Sequence, residues 1–279
     1  MRLVVQSSAI RMAHLTHIHR IIGGSAQFMQ ISEHAYYLPT NLTDVEAVKT
    51  FCAEQQIDCA LVPDSQRLNH FGLAVMDMDS TLINIECIDE IADMMNIKPQ
   101  VSAITERSMR GELDFSSSIK ERVALLKGLP ETALQKVIDE RLQANPGAQE
   151  WIAACKANSI KTMVVSGGFT LFANHVKSML ALDYAVANTF EIIDGKLTGD
   201  ILGDIVDAER KAQELVKLRD ELGLKADQTI AIGDGANDLK MMSVAAVGVA
   251  YHAKPIVQQQ ATYALNHTGL DGVINLFTA

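Results

Sequence analysis

Over the first sixty residues, apolar and polar positions change places in short bursts of differing period. "RLVVQ" near the start reads as a strand, and "RMAHLTHIHRII" carries its apolar residues at helical spacing until Gly23 and Gly24 stop it. "AQFMQI" and "AYYLPT" predict two more strands, "LTDVEAVKTFCAEQQ" a helix capped at Asn41 or Thr43, and "CALVP" a closing strand. The order β-α-β-β-α-β predicts a small α+β unit over residues 1–70, a four-stranded antiparallel sheet with helices on one face. The polar stretch "DSQRLNHFG" is the candidate linker.

From residue 71 the rhythm changes. "LAVMDMD", "IKTMVVSGG" and "QTIAIGDG" are apolar runs that end in Asp, Ser or Gly, and helical stretches such as "ERKAQELVKLRDELG" lie between them. This alternation predicts an α/β unit over residues 71–279, a Rossmann-like parallel sheet covered by helices on both faces. Ligands of such sheets bind at the carboxyl ends of the strands. Residues 84–145 interrupt the alternation with consecutive helices, the expected cap over those strand ends. A shorter interruption at 190–201 holds Asp194-Gly195 between two β-like runs, a hairpin signal.

Charge and cysteine content narrow the partners. A net charge of −10 leaves no excess of Lys and Arg to replace counterions on a phosphate backbone, which argues against nucleic acid and anionic membranes. A local cluster or bound cation still allows a phosphorylated small molecule. No apolar run reaches membrane-spanning length, and the N-terminus has no continuous apolar core like that of a signal peptide. The four cysteines form no C-x-x-C pair and read as reduced thiols of a cytoplasmic protein.

The chemistry-bearing residues fall at the strand ends. Asp77 and Asp79 stand one residue apart after a buried run, where one carboxylate could act as nucleophile and the other as acid and base. Ser166 follows a second apolar strand, and Gly167 and Gly168 are expected to open the next helix, small residues that let backbone N–H groups approach an oxyanion at a helix N-terminus. Lys211 near the start of a helix is a point charge suited to a phosphoryl group. Asp234, Asn237 and Asp238 occupy a glycine-rich turn whose hard oxygen ligands suit Mg²⁺. Each cluster alone is also what a tight turn, a helix cap or a solvated lysine looks like. Four together supply nucleophile, hydroxyl, ammonium and metal carboxylates, the set that phosphoryl transfer needs.

The series D77-M-D79-S-T81, S166-G-G, K211 and G233-D-G-A-N-D238 resembles the haloacid-dehalogenase-like phosphatase superfamily. Over residues 73 to 279 it is similar, more narrowly, to the phosphoserine phosphatase family, through "TLINIECIDEIA", "ITERSMRGELDFSSSIKERVALLKGLP", "VVSGGF" and "DGKLTGD". That resemblance implies Mg²⁺-dependent hydrolysis of O-phosphoserine, the last step of serine biosynthesis, through an aspartyl-phosphate on Asp77. It implies Asp79 as general acid and base, and Mg²⁺ held by Asp77, the Asp79 backbone carbonyl and Asp234. Ser166, Lys211, Asn237 and the Gly167 backbone would grip the phosphoryl oxygens, with Asp238 orienting Lys211. In the cap, Glu86 would meet the substrate ammonium and Arg122 its carboxylate, with Met109 and Phe115 closing the pocket. A phosphatase or phosphotransferase for another small phosphate, such as phosphohomoserine, shares the catalytic residues and differs only in the cap. A phosphorylated signalling receiver would not need Asp79, which shortens the life of the phosphoaspartate. The first 70 residues resemble an ACT-like domain in strand order alone, which implies a regulatory or dimerisation module and a homodimer.

Overall fold

A computed structural model describes residues 1–23, 25–42, 44–110 and 112–278, without the side chain of Met109. In chain order the first elements are β1 (Arg2–Gln6), α1 (Met12–Ile22), β2 (Met29–Ser32), β3 (Ala35–Pro39), α2 (Glu46–Glu54) and β4 (Asp58–Val62). The strands pair antiparallel in the order β2-β3-β1-β4. Leu3 and Val5 of β1 face α1 and α2, packing on Leu15, Ile18, Val48 and Cys52. Gly23 ends α1 at a φ of 71°, and Gly24 lies outside the described residues. Two local expectations are corrected. The second strand starts at Met29, because the residues before it have no ladder partner. Helix α2 starts at Glu46, where the Asp44 carboxylate accepts the Glu46 N–H at 3.0 Å; Asn41 lies upstream of that start, and Thr43 is outside the described residues.

The second sheet begins with β5 (Leu73–Met76). The insert follows as α3 (Cys87–Met94), α4 (Lys98–Met109), α5 (Phe115–Ala124) and α6 (Glu131–Arg141). The chain continues through α7 (Ala148–Ala157), β6 (Lys161–Phe169), α8 (Thr170–Leu180), β7 (Tyr184–Ile193), β8 (Lys196–Leu202) and α9 (Ala208–Glu221). It ends with β9 (Thr229–Gly233), α10 (Leu239–Val244), β10 (Val247–Tyr251), α11 (Pro255–Gln260), β11 (Tyr263–Leu265) and α12 (Gly272–Phe277). The sheet order is β11-β10-β9-β5-β6-β7-β8, parallel except for the β7–β8 hairpin. Asp194 and Gly195 turn that hairpin at φ 50° and 73°, the left-handed pair a two-residue turn requires. Central β5 is flanked by β6 and β9, so the order reverses there and opens the ligand crevice of an open α/β sheet. Its four residues are all buried, as expected of a strand covered on both faces.

The stretch read as a linker is packed: Leu68 and Phe71 are buried, and the Phe71 ring meets Phe277 edge-on at 5.0 Å. The sheet face of β1 that carries Val4 joins the larger core, so polar neighbours on that face become buried as well. Arg2 donates to the carbonyls of Pro63, Gln66 and Leu276. The Asp58 carboxylate accepts from the backbone N–H of Asn266 and His267 and from the Thr268 hydroxyl. Among the described residues, Arg2 Nε is the one buried side-chain nitrogen or oxygen there without a partner; the other Arg2 donors and the Asp58 oxygens are paired, which limits the cost of burial.

Candidate active site

Each strand bordering the crevice delivers one part of the site. Strand β5 ends at Met76, the Asp77 N–H still donates to Ile232 O of β9 at 2.9 Å, and the chain then turns tightly over residues 78–82, setting Asp77 and Asp79 at the mouth of the crevice. Asp77 is 5% exposed. Its Oδ1 accepts the Met78 N–H at 2.7 Å and lies 2.8 Å from Lys211 Nζ. Lys211 is fully buried and also donates to Asp238 Oδ1 at 2.8 Å. Asp207 caps the start of α9 by accepting the Arg210 N–H, one turn before Lys211, which the helix carries on its buried face toward Asp77 and Asp238. Burial works against the Lys211 ammonium, and Asp238 and Asp77 outweigh it, so its pKa is raised. The Asp77 carboxyl is also raised, by burial and then by Asp238, against the pull of Lys211.

Asp79 stands across the turn. Its Oδ1 accepts the Cys87 thiol at 3.0 Å. Burial, and after it the neighbouring Glu86 carboxylate, push the Asp79 pKa up to about 7. A carboxyl titrating near neutrality suits a group that gives and then takes a proton. Strand β6 runs on through Gly167 and Gly168 to Phe169, and α8 starts at Thr170, so the two glycines close the strand and do not open the helix. A side chain at Gly167 would come within 2.7 Å of Phe115 Cζ, and one at Gly168 within 3.0 Å of Ser166 Oγ and 3.3 Å of Asp79 Oδ2. Bare backbone there is what lets the cap and the carboxylate approach.

Asp234 follows β9. Thr81 Oγ1 donates to its Oδ1 at 3.1 Å, and burial followed by Asp238 push it up to about 6. Carboxylate oxygens of Asp77, Asp234 and Asp238 lie within 4.8 Å of one another. Crowded hard oxygens whose ionisation is opposed by burial and by each other suit a divalent cation. Asp238 is the poorer ligand of the three. Its Oδ1 holds Lys211 and its Oδ2 accepts the Gly235 N–H at 3.1 Å, so both oxygens are engaged. Asp77 and Asp234 could hold a metal.

The cap completes a cleft of about 500 Å³. Asp77, Asp79, Ser166, Gly167, Asp234 and Asn237 line it from the core, and Glu86, Phe115 and Arg122 from the insert, while Lys211 and Asp238 lie buried behind the Asp77 wall. Nearly all the residues singled out in the sequence therefore meet at one place; the Met109 side chain lies outside the described residues. Glu86 Oε1 accepts the Ser80 hydroxyl at 2.6 Å. Arg122 donates from Nε to the Ser118 carbonyl at 3.3 Å, and burial lowers its pKa against the pull of Asp89 and Glu86.

Several positioning groups escape a sequence reading. Asn145 Nδ2 faces the carbonyls of Ser80, Thr81 and Ile83 at 2.8–3.3 Å and so holds the motif turn. Asn188 donates to Gly167 O and accepts the Val206 N–H, both at 2.8 Å, fixing the end of β6. Neither has a local pattern; each is defined by residues distant in the chain.

Comparison with known proteins agrees with this geometry. Residues 74–243, more than half of the chain, match the model of the haloacid dehalogenase-like hydrolases. A phosphoserine phosphatase of Haemophilus influenzae is 50% identical over 229 residues, 82% of this chain and 73% of that protein. The unliganded structure of a probable phosphoserine phosphatase from Vibrio cholerae superposes with a TM-score of 0.87 at 38% identity, covering 99% of this chain and 86% of that one. A substrate-bound phosphoserine phosphatase gives 0.70 at 38% identity, over 75% of this chain and 99% of that one. The match spans the motif strands and the helical insert between them, and this chain belongs to the haloacid dehalogenase-like hydrolase family.

Proposed function

We propose that the enzyme hydrolyses O-phospho-L-serine to serine and phosphate, with Mg²⁺ as its metal. The observation that carries the substrate is a pair of unmatched charges in one cleft. Among the described residues, no carboxylate lies within 4 Å of the Arg122 guanidinium, and no ammonium or guanidinium lies within 4 Å of the Glu86 carboxylate. A guanidinium partly withdrawn from water calls for an anion, and an acid beside it for a cation. A zwitterion bearing a phosphoryl group satisfies both, with its phosphate at the Asp77–Lys211 end.

In this reading Asp77 forms a bond to phosphorus as the bond from phosphorus to the seryl oxygen breaks, and Asp79 gives its proton to that oxygen. Asp79 then takes a proton from water while the water oxygen bonds to phosphorus and Asp77 is released. Ser166, Asn237, the Gly167 backbone and Lys211 hold the phosphoryl oxygens. Asp77, the Asp79 carbonyl and Asp234 would hold Mg²⁺, which when bound supplies charge neutralisation to the phosphoryl group. The proposal extends to a homodimer paired through residues 1–70, for which the exposed outer strand β2 offers an edge, and to a cytoplasmic setting, with four free thiols. Among the described residues no helix is long and apolar enough to cross a membrane.

Phosphate release from phosphoserine and from p-nitrophenyl phosphate, with Mg²⁺ and with EDTA, tests the reading in wild type and Arg122→Ala. Losing a charge-assisted contact whose partner stays buried costs about 2–5 kcal/mol, so kcat/KM on phosphoserine should fall at least about 30-fold. The aryl phosphate, which has no carboxylate, should change less than about threefold. Equal losses on both substrates would remove Arg122 from the carboxylate role and the amino acid from the substrate.

A further inference from the structure

We propose that Cys87 is a positioning residue: its thiol fixes the rotation of the Asp79 carboxylate, so that the proton donor is aligned only when the cap is seated. The inference rests on Asp79 acting as general acid. Cys87 is the first residue of α3, is 0% exposed, and donates from Sγ to Asp79 Oδ1 at 3.0 Å. The other oxygen, Oδ2, lies on the phosphate side, where a Cβ on Gly168 would sit 3.3 Å from it and 3.0 Å from Ser166 Oγ. The carboxylate thus has one oxygen tied to the cap and the other beside the loop that receives the phosphoryl group. Rotation about the terminal torsion of an aspartate is broad and weakly restrained by itself, so the two donors that Cys87 brings, its thiol and its backbone N–H, decide where the oxygens point; the thiol is the one a side-chain substitution removes. The partner belongs to the insert and the carboxylate to the core, and the hydrogen bond crosses between them.

A buried cysteine in a packed environment could equally be a small apolar filler. The two roles separate on leaving-group dependence. An alkoxide needs a proton as it departs, whereas p-nitrophenolate departs without one, so misplacing the acid slows an alkyl phosphate and largely spares an aryl phosphate. The readout is the ratio of kcat/KM on phosphoserine to that on p-nitrophenyl phosphate, both in Mg²⁺, for wild type, Cys87→Ala, Cys87→Ser and Asp79→Asn. Loss of folded protein lowers both rates equally and cancels in the ratio. Cys87→Ala should lower the ratio about five- to tenfold, the size of one lost hydrogen bond, mostly through kcat, and Cys87→Ser, which keeps a donor, should recover it to within about twofold of wild type. An unchanged ratio in Cys87→Ala, or a serine variant no better than the alanine one, overturns the positioning role when Asp79→Asn does lower the ratio. If Asp79→Asn also leaves the ratio unchanged, the general-acid reading fails, and the inference falls with it.

Discussion

Lys211→Met removes the ammonium that lies 2.8 Å from both Asp77 Oδ1 and Asp238 Oδ1, and keeps an unbranched apolar stem. The lysine is 0% exposed, and its partners are 5% and 0% exposed. Removing one member of a buried ion pair costs about 3–5 kcal/mol, because the remaining charge has no compensation. Asp77 can escape that cost by taking a proton, which makes the penalty depend on pH. Its carboxyl is already raised by burial and by Asp238, against Lys211, and losing the lysine raises it further. A carboxyl whose folded pKa exceeds its unfolded value of about 4 binds more protons when folded, so stability falls as pH rises through that window. The variant should therefore lose about 4 kcal/mol at pH 8, or roughly 10 °C in Tm for a chain of this size. At pH 4.5 the loss should be less than half of that. Urea unfolding in EDTA, followed by fluorescence of the single, fully buried Trp151, measures the difference as a shift in midpoint at constant slope. Equal losses at the two pH values, or a loss below about 1 kcal/mol at pH 8, would refute the claim that Lys211 neutralises buried charge.

The metal reading and the docking of the N-terminal sheet give two further tests. The Asp234 carboxyl is pushed up to about 6 and Asp77 is raised, so the metal-free fold loses stability as pH rises through that range, and a cation should restore it. Saturating Mg²⁺ should raise Tm by about 5–10 °C at pH 8 and by much less at pH 5; an equal shift at both would put the ion elsewhere. Asp58→Ala strips partners from the Asn266 and His267 amides and the Thr268 hydroxyl, and should cost about 3 kcal/mol in urea unfolding. A change below about 0.5 kcal/mol would mean that water replaces the carboxylate freely.

Three of the candidate catalytic residues were legible because each ends an apolar run near the carboxyl end of a strand, where the fold class already places ligands. Asp77, Ser166 and Asp234 needed no tertiary information beyond the expectation that β5, β6 and β9 share a sheet. Lys211 was different. A single lysine in a helix of mixed charge normally faces water, and only two carboxylates distant in sequence make its burial tolerable. Arg2, Gln6 and Asp58 were illegible for a related reason. Alternation in β1 and β4 identifies two faces, but not that the second is covered by α12 and the segment after β11, where Gln6 and Asp58 find their partners. The start of β7 at Tyr184 and the short strand β11 gave too little period to be read, since both depend on a neighbouring strand for pairing.

The division of the site between core and insert has a mechanical consequence. Ser80 stands at a φ of 56°, a left-handed conformation that costs a non-glycine residue on the order of 1 kcal/mol or more. Both ends of the insert converge to hold it there. Its N–H donates to Ile85 O at 3.2 Å and its hydroxyl to Glu86, while Asn145, beyond α6, reaches its carbonyl. The turn that carries Asp79 is therefore built partly by the segments on which the cap would pivot. Besides the Ile85 and Asn145 bonds to Ser80, the insert meets the core at this floor through Glu86 on Ser80, Cys87 on Asp79, and the Phe115 ring beside Gly167. A cap that opened would break those contacts together and, on the proposed role of Cys87, release the Asp79 carboxylate, whereas the Asp77–Lys211–Asp238 network lies wholly in the core. Under the proposed roles, Asp77 would then be held in place whether or not the cap is seated, and Asp79 only when it is. This arrangement favours transfer to Asp77 within a cleft from which bulk water has been excluded.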